Sequence, residues 1–440
     1  MQIMRGASAQ SVIGKIFEDI SKSLEPGRDP ASSRAHAAAA ATSYRALAPT
    51  HQDEVIKRLA ASEFDADLDA IKEICAATNN GPENKSDAWK LVEKVRAAAT
   101  SRRHRLFTFL NGTKDGLRFL INLRERTLVV GKDSEDCKNE LAAFEAELRA
   151  VLLVLLDIGF IKLARITWDS PASLLEKLKQ SEAVHEMRSW EDLKARVGDP
   201  DRRIFCFFHH SLPDEPIAFV EVALVNGLAD NIHHLIDAPP GRAKTTSPDT
   251  AIFYSITAPL KGLDGITFGN FLIKKVISET NRNFPHISTF ATLSPIPGFN
   301  AWLKDSLPNP ASPLANLEPA VRTALQDVVN KSAIGDESVL TESVRIPLLR
   351  ACAIYLFSKK AGNTPLDKVQ RFHLGNGAMI GRLNWRADVT KNGLRQSAGL
   401  MVNYIYALNA MEANHMAYET SSAIAASESI RALLHPHPLG

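Results

Sequence analysis

Residues 251–299 read AIFYSITAPLKGLDGITFGNFLIKKVISETNRNFPHISTFATLSPIPGF. The run Ala251–Ile256 is apolar, β-branched and aromatic, the composition of a buried strand. A glycine-punctuated turn follows, Gly262–Gly269, then a helical pattern at Phe268–Ile277 and a second strand-like run at Ile287–Leu293. Strand, turn, helix, strand is a unit of a parallel or mixed sheet. If the two strands are parallel, the turn leaves the carboxyl end of the first and Ser294 follows the carboxyl end of the second. Both then reach the sheet edge where open α/β sheets take their ligands. Glycines let backbone N–H groups come close to a ligand, and the helix start adds unpaired N–H groups, so a diphosphate suits the turn. The spacing matches neither a P-loop nor a dinucleotide fingerprint, and a plain strand-to-helix connection uses the same residues. Pro295 pushes Ser294 away from helical angles and stiffens its loop, although a serine before proline is also an ordinary turn former.

Outward from this stretch, further strand-like runs lie at Arg203–Phe208, Ile217–Val225 and Leu400–Tyr406. Helical patterns such as Ala320–Val329 alternate with them, and residues 306–364 read as a helical, proline-punctuated insertion in the sheet domain. Toward the N-terminus the pattern changes, and residues 1–160 read as helix after helix. Val12, Ile13, Ile16, Phe17, Ile20 and Leu24 recur at helical spacing, as do Leu141, Phe144, Leu148, Val151, Leu152 and Leu155. Ser86 offers an N-cap before Trp89, Val92 and Val95, and Asn111-Gly112 offers a helix stop. The expected class is α + α/β: an all-helical bundle over 1–160, then a mixed-sheet domain over 161–440. The helical part holds no cluster of reactive side chains, so its expected role is structural or oligomerising.

Composition narrows the function. Charged residues make up 23% and the formal net charge is +2, which argues against nucleic acid or an anionic membrane surface as partner. Cys75, Cys137, Cys206 and Cys352 stand far apart in sequence, outside metal-knuckle or redox spacing, which fits a reducing compartment. Met1–Ile20 lacks the continuous apolar core of a signal peptide, and the apolar run Ala150–Leu156 is too short to span a bilayer. The expectation is a cytoplasmic protein. The neighbouring pairs His209-His210 and His233-His234 diverge on a strand or a helix and make no metal fork. Gly241-Arg242-Ala243-Lys244-Thr245 lacks the leading glycine of a P-loop, and Ser294 lacks the Gly-x-Ser-x-Gly elbow of hydrolases. One other cluster has chemical promise: Arg371-Phe372-His373-Leu374-Gly375-Asn376-Gly377-Ala378, where His373 precedes two glycines and its loop could approach a ligand. A lone histidine is often structural, yet its ordinary pKa suits proton transfer near neutrality.

Together these motifs resemble the malonyl-CoA decarboxylase family. The resemblance is carried by Ala251–Ile256, the Gly262–Gly269 turn with Phe271–Lys275, Leu293–Phe299, His373–Ala378, Asn384-Trp385, Ala387-Asp388-Val389 and Gly399–Tyr404. It covers roughly Thr167–Tyr406 closely and the helical front in general character. It implies a catalytic domain with the fold of the GNAT acetyltransferases and a helical domain that assembles a homo-oligomer, a dimer or tetramer. It also implies that Ser294 and His373 are catalytic, that Asp264, Gly265, Ile266, Thr267, Phe268, Gly269 and Asn270 form the CoA turn, and that Ser255, Asn376 and Tyr406 lie near the acyl group. Some relatives carry a glutamate where this chain has Thr267, so a required carboxylate is not expected there.

The implied reaction converts malonyl-CoA to acetyl-CoA and CO2. The thioester carbonyl accepts the electron pair left by CO2, so the substrate carries its own electron sink and no cofactor or metal is expected. The protein has to orient the carboxylate, stabilise the enolate oxygen and deliver a proton to carbon. An acyl-CoA-dependent N-acetyltransferase and a non-catalytic malonyl-CoA-binding regulator are the competing readings.

Overall fold

The computed structural model describes residues 8–77, 84–237, 247–266, 271–360 and 362–434. The chain packs as two compact units. The first gathers Met1–Lys162, Phe208–Pro216 and Leu260–Thr267; the second gathers Leu163–Phe207, Ile217–Pro259 and Phe268–Gly440.

The first unit is helical. Its helices are α1 (Ala9–Ser23), α2 (Pro30–Arg45), α3 (Pro49–Ala60), α4 (Leu68–Ala77), α5 (Lys85–Ala99), α6 (Arg102–Asn111), α7 (Gly116–Asp133) and α8 (Lys138–Leu155). The apolar stripe of α1 is buried at Val12, Ile13, Ile16, Phe17 and Ile20, and Ser8 caps the helix by accepting the Ser11 N–H. The stripe of α8 is buried at Leu141, Phe144, Leu148, Val151 and Leu152. Gly112 caps α6 where the sequence placed a stop. The cap of α5 is Asn84 rather than Ser86: the Asn84 side chain accepts the Asp87 N–H at 3.0 Å, and the helix starts one residue before Ser86. The stripe beginning at Trp89 is not core. Among the described residues α4 and α5 bury no side chain, and Trp89 is 69% exposed.

The sheet elements follow in chain order: β1 (Ile161–Ile166), α9 (Ala172–Ser181), α10 (Trp190–Gly198), β2 (Arg202–His209), β3 (Leu212–Val225), α11 (His233–Ile236) and β4 (Thr250–Thr257). Then come α12 (Phe271–Asn283), β5 (Thr289–Thr292), β6 (Ser294–Pro295), α13 (Phe299–Ser306), α14 (Pro319–Ile334) and α15 (Glu342–Phe357). A small hairpin, β7 (Lys359–Lys360) and β8 (Thr364–Pro365), precedes α16 (Lys368–Gly375), β9 (Met379–Asn384), α17 (Lys391–Ser397), β10 (Met401–Ile405), α18 (Met411–Ser421) and α19 (Glu428–Ala432). The main sheet runs β1-β2-β3-β4-β5-β10-β6, with β9 also on β10. It is mixed, as expected: β4 and β5 are parallel, with Phe253 opposite Thr292, while β3–β4 and the pairings of β10 are antiparallel. Ile252, Tyr254, Leu293 and Met401 share one buried apolar cluster.

Each of the five strand-like runs falls on a strand. The sequence does not mark β1, β6, β9 or the two-residue strands β7 and β8, and β9 hides because Gly381, Arg382 and Asn384 dilute its apolar character. The helical insertion at 306–364 is present as the end of α13 with α14 and α15.

Candidate active site

Along β5 and β6 side chains alternate. Leu293 enters the apolar cluster, so Thr292 and Ser294 turn to the opposite face, and Ser294 pairs in register with Val402 of β10. The Ser294 hydroxyl donates to Thr292 Oγ1 at 2.9 Å, and its oxygen lies 3.2 Å from His373 Nε2. Thr292 Oγ1 also accepts the Tyr404 N–H at 3.1 Å. All of these residues are buried.

His373 reaches this point from the last turn of α16. Asp367 starts that helix by accepting the Gln370 N–H at 2.8 Å. The glycines expected to bring a loop to a ligand end the helix instead. Gly377 has φ +81°, its N–H bonds Leu374 O at 2.9 Å, and Ala378 N–H bonds His373 O at 3.1 Å, a left-handed C-terminal cap. A Cβ on Gly377 would sit 2.1 Å from Met411 O. The imidazole is held on its other side as well: Nδ1 lies 2.7 Å from the Tyr406 hydroxyl, and the ring stacks on Tyr404 with centroids 4.5 Å apart. Burial disfavours the imidazolium and pulls the His373 pKa down to about 3, so the ring is neutral near pH 7. Burial pushes the Tyr406 phenol well up, so it too stays neutral.

Of the three supporting residues read from sequence, Tyr406 joins the pair directly. Asn376 caps the C-terminus of α16, donating to Phe372 O at 2.6 Å, while its buried Oδ1 has no partner among the described residues. Ser255 bonds to a carboxylate of its own. Tyr254 is an extra residue in the β3–β4 register, between the pairs Val222–Phe253 and Glu221–Ser255. Beyond this bulge the Ser255 hydroxyl donates to the Glu182 carboxylate at 2.8 and 2.9 Å, and Thr257 donates to it at 3.0 Å. Glu182 also accepts the Val184 and His185 N–H groups, each at 2.8 Å. Nearby Glu221 is pushed up to about 8 by burial, with the Arg196 guanidinium opposing and the Glu182 charge adding to the shift.

The described part of the turn belongs to the helical unit. Gly265 has φ +74°, and a Cβ there would meet nothing within 4 Å among the described residues. Gly262 has no such freedom, since a Cβ would lie 2.0 Å from Ile121 O. Two arginines hold the turn's carbonyls: Arg124 donates to Gly262 O at 2.7 Å and Arg149 to Gly265 O at 3.1 Å. Buried Arg124 is itself fixed by Glu145, at 2.6 and 2.8 Å. Asp264 and Ile266 flank Gly265; Thr267, Phe268, Gly269 and Asn270 lie outside the described residues, as does Gly241–Thr245. Among the described residues no group of three or more His, Cys, Asp or Glu side chains could hold a metal ion. Sequence reading missed Thr292, Glu182 and Arg124. Only Thr292 left a local signal, a hydroxyl two residues before Ser294 on the same strand face.

The chain thus joins a helical domain to a mixed sheet and buries a serine–histidine pair, its imidazole neutral, beyond the end of a parallel strand. The comparisons with known proteins define its class. Residues 64–155 match the model of the malonyl-CoA decarboxylase N-terminal domain, and residues 159–439 that of the malonyl-CoA decarboxylase C-terminal domain. The chain is 34% identical over 408 residues to the mitochondrial malonyl-CoA decarboxylase of Anser anser anser, covering 88% of this chain and 81% of the relative. With that of Rattus norvegicus the identity is 33% over 432 residues, covering 92% and 87%. The crystal structure of malonyl-CoA decarboxylase from Rhodopseudomonas palustris superposes with a TM-score of 0.85 at 36% identity, covering 97% of this chain and 100% of the other. That from Agrobacterium vitis gives 0.84 at 33%, with the same coverage. The chain belongs to the malonyl-CoA decarboxylase family and is an enzyme of that family.

Proposed function

We propose that this enzyme converts malonyl-CoA to acetyl-CoA and CO2 through an enolate that Ser294 and His373 stabilise and protonate. The observation that carries the mechanism is the 3.2 Å approach of Ser294 Oγ to His373 Nε2 in a buried setting where the imidazole is neutral. Breaking the bond to the carboxylate leaves its electron pair on carbon, delocalised onto the thioester oxygen. Neutral hydroxyl and N–H donors are suited to that oxygen, because they gain most when charge builds on it. The new C–H bond takes one proton from the Ser294–His373 pair, and solvent returns one after product leaves.

The same proposal gives the turn around Asp264–Ile266, continuing through Asn270, the CoA moiety. It gives the sheet domain an acetyltransferase-like role in holding an acyl-CoA, and the helical unit a part in a homo-oligomer. It needs no metal or cofactor, because the thioester is the electron sink. It places the protein in the cytoplasm, with free thiols at all four cysteines. No helix among the described residues is long and apolar enough to cross a membrane.

Incubating the enzyme with malonyl-CoA and no amine tests the reaction. Release of CO2 with stoichiometric acetyl-CoA is expected, and EDTA should leave the rate unchanged. Turnover only with an added amine would make the protein an acetyltransferase, and recovery of intact malonyl-CoA would make it a binding protein.

A further inference from the structure

We propose that Thr292 is a positioning residue of the acyl site. Its hydroxyl oxygen takes the Ser294 proton and so sets the direction of the hydrogen bonds through Ser294, His373 and Tyr406, leaving the His373 Nε2–H aimed at the Ser294 oxygen. The catalytic consequence rests on the decarboxylase reading above, while the hydrogen-bond direction can be measured without it.

A serine hydroxyl has one proton to give. The geometry admits Ser294 as donor to Thr292, at 2.9 Å, and the distance to His373 is longer, at 3.2 Å. The acceptor is not free to turn away. Thr292 is fully buried, its Oγ1 is fixed by the Tyr404 N–H at 3.1 Å, and its carbonyl is held by Asn403 Nδ2 at 2.7 Å. With the serine proton spent on Thr292, Ser294 Oγ meets His373 as an acceptor, so the ring's single proton sits on Nε2. Bare Nδ1 then takes the Tyr406 O–H at 2.7 Å. Burial keeps the ring from gaining a second proton.

The direction matters for chemistry. A serine that donated to Nε2 would make His373 a base poised to deprotonate it, the arrangement of a nucleophilic hydroxyl. The direction set by Thr292 makes His373 a neutral donor to Ser294 Oγ, and a thioester oxygen that becomes negative as CO2 leaves can compete for that Nε2–H. Thr292 acts through Ser294 and need not touch the substrate.

The test is nitrogen NMR of enzyme labelled at histidine, with the His373 signal assigned by its loss in His373→Gln. Wild-type enzyme without substrate should show the Nε2–H form of His373. In Thr292→Val, which keeps the shape and removes the acceptor, Ser294 has to turn its proton to His373, and the signal should change to the Nδ1–H form. In Thr292→Ser it should return to Nε2–H. In turnover, Thr292→Val should lower kcat by about tenfold or more with KM within about twofold, and Thr292→Ser should recover most of the loss. An Nδ1–H ring in the wild type overturns the proposal, and this reading asks only that His373→Gln fold. A folded Thr292→Val enzyme with unchanged tautomer and kcat overturns it as well. If the predicted tautomers appear but no protein releases CO2, the hydrogen-bond direction stands and the proposed reaction falls.

Discussion

Ser294 and His373 are 79 residues apart in sequence and meet at 3.2 Å. Ser294→Ala and His373→Asn should each cost roughly 10²–10⁴ in kcat while leaving CoA affinity nearly intact, since the acyl end depends on them and the CoA moiety does not. Single-turnover CO2 release beside CoA titration checks this, and near-normal release from both variants would remove the pair from the mechanism. The His373 pKa, lowered from 6.5 to about 3, carries two further consequences. First, kcat/KM reports groups of the free enzyme, so His373 should contribute no step near 6.5. Second, between pH 6.5 and about 3 the unfolded chain takes up a proton that the folded His373 refuses, so stability is lost as the pH falls through that window. His373→Asn should flatten this part of the profile of Tm against pH. Both members of the pair stood out in sequence, Ser294 by its prolines and His373 by its glycines. Thr292 did not, because a threonine inside a strand reads as ordinary β-propensity. The fate of the Ser255 hydroxyl was equally hidden, since it depends on a register shift at Tyr254 that no local pattern marks.

At the scale of elements, the turn after β4 is shaped by α7. Arg124 and Gly262 are 138 residues apart, yet the guanidinium holds the Gly262 carbonyl, and the backbone at Ile121 leaves no room for a Cβ on Gly262. Arg124→Leu leaves that carbonyl and the Glu145 carboxylate without their donor, and the buried loss should lower stability by ~2–4 kcal/mol. It should also weaken CoA binding several-fold, which denaturant melts and calorimetry can separate at a temperature where the variant is folded. An effect on stability alone would dissociate α7 from the ligand. Gly265→Val acts differently. No described residue crowds it, so the cost is the left-handed backbone and the side chain over the turn, and CoA affinity should fall more than stability does. Equal CoA affinity in a folded Gly265→Val enzyme would move the diphosphate elsewhere. The position of this turn was legible because glycines, a strand and a helix adjoin in sequence. Its support was not, since Arg124 reads as one more polar residue on an amphipathic helix.

At the scale of the whole molecule, a helical region followed by a sheet region was legible because apolar spacing changes from helical to strand-like along the chain. The helix carrying Trp89, Val92 and Val95 was legible, but its exposure was not: α4 and α5 leave Leu68 and Trp89 63% and 69% exposed. If this helix pair contributes to a homo-oligomer, Trp89→Glu with Leu68→Glu should reduce the mass seen by light scattering before it changes the acyl-site chemistry. An unchanged mass would release the helix pair from that role. The helical unit is also discontinuous along the chain, taking in Phe208–Pro216 and Leu260–Thr267. Arg118 finds its carboxylate at Glu215, and Arg124 finds its carbonyl at Gly262. During synthesis, therefore, the helices emerge first but stay unfinished until more than a hundred further residues have left the ribosome. A nascent chain ending near Lys162 carries a buried-type arginine with no carbonyl to bind. By the vectorial rule that domains fold as they emerge, the helical unit is then expected to close only once residue 267 has been made, alongside the sheet domain rather than ahead of it.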